Sequence, residues 1–151
     1  MTSDDEKWMR HALTLAEKAQ QQDEVPVGAV IVHENNLIGE GWNQPISSND
    51  PTAHAEIQAI RAACLNNNNY RLPNTTLYVT LEPCLMCTGA IIHSRIARLV
   101  FAAKEPKTGA IVSGFDVLNN KRLNHHVQCE HGLLSEQSSQ LLRQFFKARR
   151  Q

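Results

Sequence analysis

Thr75-Thr-Leu-Tyr-Val-Thr-Leu81, running straight into Glu82-Pro-Cys-Leu-Met-Cys87, is the stretch that decides the fold. Its first seven residues alternate and are rich in β-formers, which predicts a strand over 75–81. Proline suits the first turn of a helix, so Pro83 opens a helix that runs to about His93. Leu85, Met86, Ala90, Ile91 and Ile92 make it apolar on most sides, and such a helix is expected to be buried. Beyond it, Arg98-Leu-Val-Phe-Ala-Ala103 reads as another strand. Strand, helix and strand in succession imply a partly parallel sheet in a layered α/β fold.

The flanks extend this pattern. Ser3 and Glu6 stand at capping-box spacing, and Trp8, Ala12, Leu15, Ala16 and Ala19 recur at helical spacing as far as about Gln21. Residues 27–32 and 37–42 flank the turn residues Glu34, Asn35 and Asn36 and predict an antiparallel hairpin. A polar loop follows over 43–51. Asp50 and Pro51 suit the cap and first turn of a second helix with the stripe Ala53, Ile57, Ile60 and Cys64, which makes Cys64 a buried thiol. The asparagines at 66–69 read as an exposed loop, 104–115 as a Gly-containing loop and 127–129 as a short strand. A last helix starts at Ser135. Leu141, Leu142, Phe145 and Phe146 are expected to face the body, with Arg143, Lys147 and Arg150 on the other side. The whole, residues 1–151, reads as a single domain.

Composition narrows the function classes. With 42% hydrophobic and 20% charged residues, the chain has the make-up of a globular protein. No apolar run is long enough to span a bilayer, and Met1 to Glu6 is too polar and acidic for a secretory signal. The cytoplasm is therefore the expected location. The net charge is zero but unevenly distributed. Residues 1–89 carry 5 basic and 11 acidic side chains (−6), and residues 90–151 carry 10 basic and 4 acidic ones (+6). Such a split marks either a polyanion-binding face or an ordinary difference between two faces.

The chemistry lies in two short motifs, His54-Ala-Glu56 and Pro83-Cys-Leu-Met-Cys87. Cys84 and Cys87 are one helical turn apart, so both sulfurs can reach one ion. A helix N-terminus favours their thiolates. His54 and Glu56 would diverge in mid-helix but can act together in a pocket placed over a helix end. One nitrogen and two sulfurs favour zinc over magnesium or calcium. Three protein ligands leave a tetrahedral position open, as a catalytic zinc requires. Zinc lowers the pKa of bound water to about 7, and Glu56 could then carry protons. A redox Cys-x-x-Cys pair has no need of His54 or Glu56. A structural zinc would need a fourth ligand, for which His125, His126 and His131 are the candidates.

Glu24-Val-Pro-Val-Gly-Ala-Val30, Gly39-Glu-Gly-Trp-Asn43, Asp50-Pro-Thr-Ala-His-Ala-Glu-Ile57 and Leu77-Tyr-Val-Thr-Leu-Glu-Pro-Cys84 closely resemble the bacterial tRNA-specific adenosine deaminase family. So do Ile92-His-Ser-Arg95, Lys107-Thr-Gly-Ala110 and Asp116-Val-Leu118. The zinc motif alone marks only the wider cytidine-deaminase-like superfamily; the flanking blocks point to the tRNA enzymes. The resemblance implies a three-layer α/β/α fold with a five-stranded mixed sheet. It implies hydrolytic deamination of adenosine to inosine at the wobble position of a tRNA anticodon loop, by zinc-activated hydroxide attack on C6. It implies one Zn2+ per chain on His54, Cys84 and Cys87, with Glu56 as the proton shuttle. Asn43 matches the family's nucleoside-binding asparagine, and Val27 and the backbone around Ala55 match its base pocket. A homodimer is implied as well. Glu105 stands where the family usually has Asp, in a loop expected beside the substrate backbone, and Lys104, Lys107 and the C-terminal basic residues are the phosphate-binding candidates. The rivals are a deaminase of free bases or nucleosides of the guanine or cytosine type, and a non-catalytic, zinc-stabilised RNA-binding module.

Overall fold

The computed structural model describes residues 1–150; Gln151, the last residue of the expected domain, lies outside the described residues. In chain order the elements are α1 (Ser3–Gln21), β1 (Gly28–His33), β2 (Asn36–Trp42), α2 (Pro45–Ser48), α3 (Ala55–Asn66), β3 (Thr76–Leu81), α4 (Leu85–His93), β4 (Arg98–Ala103), β5 (Gln128–His131) and α5 (Ser135–Arg149).

Five strands form one sheet in the order β2-β1-β3-β4-β5. β1 pairs antiparallel with β2 and with β3, whereas β3–β4 and β4–β5 are parallel. The sheet is thus mixed, as expected. The β1–β2 turn places Glu34 and Asn35 at φ of 50° and 59°, the left-handed pair that a tight hairpin twist requires.

Alternation along the strands divides the core in two. Ala29, Ile31, Leu77, Val79, Leu99 and Phe101 pack with Ala55, Ala59, Ala63 and Ile91 of α3 and α4. Val30, Val32, Tyr78, Val100 and Ala102 pack with Trp8, Met9, Ala12 and Leu15 of α1. On this second face α5 adds Phe145, which is buried, and Ser138, whose hydroxyl donates to the Thr80 carbonyl. The result is three layers, with helices on both sides of the sheet. α3 lies very close to β2. A Cβ at Gly41 would stand 2.6 Å from the Ala55 carbonyl, so glycine there lets the start of α3 settle on the strand.

Several local expectations give way. The capping box of α1 is Thr2 with Asp5, not Ser3 with Glu6. Asp5 wins because its carboxylate also meets Tyr78 and Arg98 in the core. The second helix begins at Ala55, not beside Pro51, because the Asp50 carboxylate is spent on the backbone and hydroxyl of Thr52. Inside the supposed loop lies the short helix α2, whose first amides at Ile46 and Ser47 are accepted by buried Glu24. α4 is not fully buried: Leu85 is 50% and Met86 38% exposed. Phe146 also faces outward, and Cys64 is only half-buried against the core. No helix among the described residues is long and apolar enough to cross a membrane.

Candidate active site

The register of the sheet brings four chain segments to one end. Gly28 pairs with Trp42 and Leu81 with Ala103, so the residues just beyond them share that edge. These are Val27, Asn43, Glu82 and Lys104. Two of the strands are parallel and end there, and the crevice beyond the carboxyl ends of such strands is where open α/β sheets bind ligands.

At this edge α3 and α4 start side by side. His54 is the N-cap of α3 and Cys84 the N-cap of α4; neither caps its helix with its own side chain, so both side chains are free for other partners. Cys87 lies in the first turn of α4 and is fully buried. The first amide of α3, at Ala55, is instead satisfied by Asn43, whose Oδ1 accepts from it at 2.8 Å. Asn43 itself is fixed by its own amide on the Val27 carbonyl, at 3.1 Å. With Oδ1 occupied, its Nδ2 donors have no protein partner among the described residues.

A cavity of about 230 Å3 opens here, lined by Val25, Val27, Asn43, His54, Glu56, Leu81, Glu82, Cys84, Glu105 and Thr108. It gathers Val27, Asn43, His54, Glu56, Cys84 and Glu105 from the sequence-derived candidates, with Cys87 buried next to Cys84. Ala55 does not line it, and its amide is taken by Asn43. Lys107 does not line it either. Its side chain is exposed, and its amide donates to the Glu105 carboxylate at 2.9 Å. Thr108, one residue on, takes the wall position. Sequence reasoning missed Val25, Leu81, Glu82 and Thr108. Glu82 had a visible signal, since an acidic residue at a strand end directly before Pro-Cys is out of place unless something binds it.

The donor geometry fits zinc. His54 Nδ1 lies 3.6 Å from Cys84 Sγ and 3.5 Å from Cys87 Sγ, and the three ligand atoms fall within 4.8 Å of one another. Tetrahedral angles with ordinary zinc–sulfur and zinc–nitrogen bonds place sulfur and nitrogen roughly 3.6 Å apart. Among the described residues this is the one group of three or more such side chains. The histidines considered as a fourth ligand are elsewhere: His125 Nε2 bonds the Ile96 carbonyl and His131 stacks on Phe101.

Electrostatics suit the same chemistry. The hydrogen bond with Cys87 comes first, followed against it by burial and then by His54, and Cys84 is held down at about 4. The same hydrogen bond and burial push Cys87 up, and a bound cation would favour the thiolate of both. Hydrogen bonding to Cys84 raises His54. Burial raises the Glu56 carboxyl to about 7, with His54 and its own backbone amide pulling the other way.

Residues 2–103 match the cytidine and deoxycytidylate deaminase zinc-binding region. That match and the donor set make this a zinc-dependent deaminase with one Zn2+. The tRNA-specific adenosine deaminase of Haemophilus influenzae is 57% identical over 148 residues, covering 97% of this chain and 86% of the relative. That of Buchnera aphidicola subsp. Schizaphis graminum is 46% identical, covering 97% and 96%. A solved structure from work on A-to-I editing by tRNA:A34 deaminases superposes with a TM-score of 0.88 at 43% identity, covering 90% of this chain and 99% of that one. A guanine deaminase from Nitrosomonas europaea superposes at 0.77 with 27% identity, covering 93% and 83%. With likeness over nearly its whole length and a donor set of zinc geometry at its centre, the chain belongs to the tRNA-specific adenosine deaminases, within the cytidine and deoxycytidylate deaminase family.

Proposed function

We propose that this protein converts adenosine to inosine at the wobble position of a tRNA anticodon loop. The observation that carries the chemistry is the meeting of His54, Cys84, Cys87 and buried Glu56 at one cavity. The substrate reading is supported by the relatives named as tRNA-specific adenosine deaminases. An anticodon loop also suits such a cavity physically, because its bases are unpaired and splaying one out costs less than extracting it from a duplex.

His54, Cys84 and Cys87 hold the zinc, which when bound supplies a Lewis acid that makes hydroxide available near neutral pH. Asn43 orients the nucleoside through its Nδ2 donors. Val27 packs against the base, with the chain around Ala55 behind it. Glu56 takes a proton from the attacking water and delivers it to the ring nitrogen; it then passes the remaining hydroxyl proton to the C6 amine, which leaves as ammonia as the C6 carbonyl forms. Burial raises this carboxyl above its ordinary range, which favours its holding the proton between the two transfers. Glu105 and the backbone near Lys107 stand beside the substrate chain. Residues 1–151 act as one catalytic domain, in the cytoplasm and as a homodimer. The exposed Leu85 and Met86 beside the site are consistent with an apolar contact between copies.

The test is to incubate the protein with unmodified tRNA, and separately with free adenosine, guanine and cytosine, and to map any inosine formed. Inosine confined to the wobble position is expected. Conversion of free bases with the tRNA untouched would support the reading that the guanine deaminase likeness offers instead.

A further inference from the structure

Glu82 belongs to neither ligand motif, yet it is a charged side chain only 3% exposed at the end of β3. Its carboxylate is met entirely by one loop. Oε1 accepts from the Glu105 amide at 3.1 Å and from the Ser113 hydroxyl. Oε2 accepts from the amides of Ile111, Val112 and Ser113 at 3.1, 2.8 and 3.0 Å. A Cβ at Gly109 would overlap this carboxylate, so glycine is needed for the loop to close over it. The next residue, Ala110, donates its amide to the Pro83 carbonyl at 2.9 Å. Residues 105–113 are thus fastened to Glu82 and Pro83, the two residues that lead into Cys84.

The same loop has no strand or helix of its own. Its other side supplies Glu105 and Thr108 to the cavity. Among the described residues no cation pairs with Glu82, so the four loop amides and the Ser113 hydroxyl offset the burial of its charge. We propose that Glu82 is a positioning residue: it fixes the 105–113 loop to the Cys84 turn, so that the substrate-facing wall and the zinc-binding turn move as one body. This rests on the cavity being the deaminase site. The wall then stands at a set distance from the reacting base, and its position governs substrate grip more than the chemical step.

Glu82→Gln tests this, since it keeps the volume but turns an amide nitrogen toward donors. Ser113→Ala removes a single donor and leaves the charge satisfied, which keeps the test open should Glu82→Gln fold poorly. Three quantities are read on the zinc-loaded protein: amide hydrogen exchange at 105 and 111–113, zinc content, and kcat and KM on an anticodon stem-loop. For Glu82→Gln, exchange at those amides should rise about tenfold, and KM should rise about tenfold with kcat nearly unchanged. Zinc should stay at one per chain, and Ser113→Ala should move the same readings less far. Unchanged exchange in both variants overturns the proposal, as does faster exchange with unchanged KM. Loss of zinc in step with loss of activity would assign Glu82 to the ligand turn instead. If the parent protein leaves the stem-loop unconverted, the deaminase reading fails, while exchange and zinc content still decide whether Glu82 holds the loop.

Discussion

Glu56 occupies the second position of α3, one residue past Ala55, whose amide is held by Asn43. That placement turns the Glu56 side chain end-on toward the cavity instead of across the helix. Replacing it with Gln keeps the shape and removes the titrating oxygen. Glu56→Gln is expected to retain one zinc per chain and to lose about 10²- to 10⁴-fold in single-turnover deamination of tRNA. Zinc analysis beside the rate measurement checks both halves, and near-parental turnover would remove Glu56 from the mechanism. His54, Glu56, Cys84 and Cys87 were legible in the sequence because type and spacing alone limit what such side chains can do together. Glu24 was not, and Glu82 showed only as an acidic residue out of place before Pro83, with no sign of what it binds. Each is a lone carboxylate whose meaning lies in amides far along the chain, 23 to 31 residues on for Glu82.

The strands were legible as elements because alternation and β-branching reflect burial, which the sheet itself imposes. β4 came out at the expected bounds, Arg98–Ala103. Helix starts were less legible, since a cap is a competition between neighbouring side chains. Asp50 resembled a cap for α3, but Thr52 claims it, and the true start is set by Asn43 from another segment. α1 shows the same competition with an energetic consequence. Asp5 caps the helix and also ties it to β4 and β3 through Arg98, at 2.7 Å, and Tyr78, at 2.6 Å. The Arg98 hydrogen bond, against burial and together with Tyr78, holds the Asp5 carboxyl well below its usual 3.8. The folded state therefore gives up this proton more readily than the unfolded one. The stability it contributes is complete above about pH 4 and is lost as the pH falls toward the depressed value. Asp5→Ala should cost about 2–4 kcal/mol at pH 7 in urea unfolding, since Arg98 keeps Glu130 as a partner. The gap between parent and variant should narrow below pH 4. A gap that widens on acidification would reverse the sign.

The uneven charge of the sequence takes on a location in the whole molecule. Two clefts adjoin the central cavity. One shares Val25, Leu81 and Glu105 with it and carries Lys104 and Arg143; the other shares Val25 and Asn43 and carries Arg149. Arg149 is steadied by the Asp23 carbonyl and by the Phe145 ring, 4.4 Å away. Arg143 is partly spent on Glu136. The positive half of the chain therefore reaches the rim of the cavity, where a polyanion would lie if its base entered. A free nucleoside has no phosphate to meet these side chains, so salt separates the two substrates. If Lys104, Lys107, Arg143 and Arg149 each neutralise one phosphate, affinity for a single-stranded loop should fall roughly 50-fold between about 50 and 200 mM salt. Stem-loop binding measured across that range should give a straight log–log line. Arg149→Ala and Lys104→Ala should each flatten it by about 0.7, the share of one phosphate. A slope near zero would mean that the basic half is a solvated surface and that the grip on the RNA lies wholly in the bases.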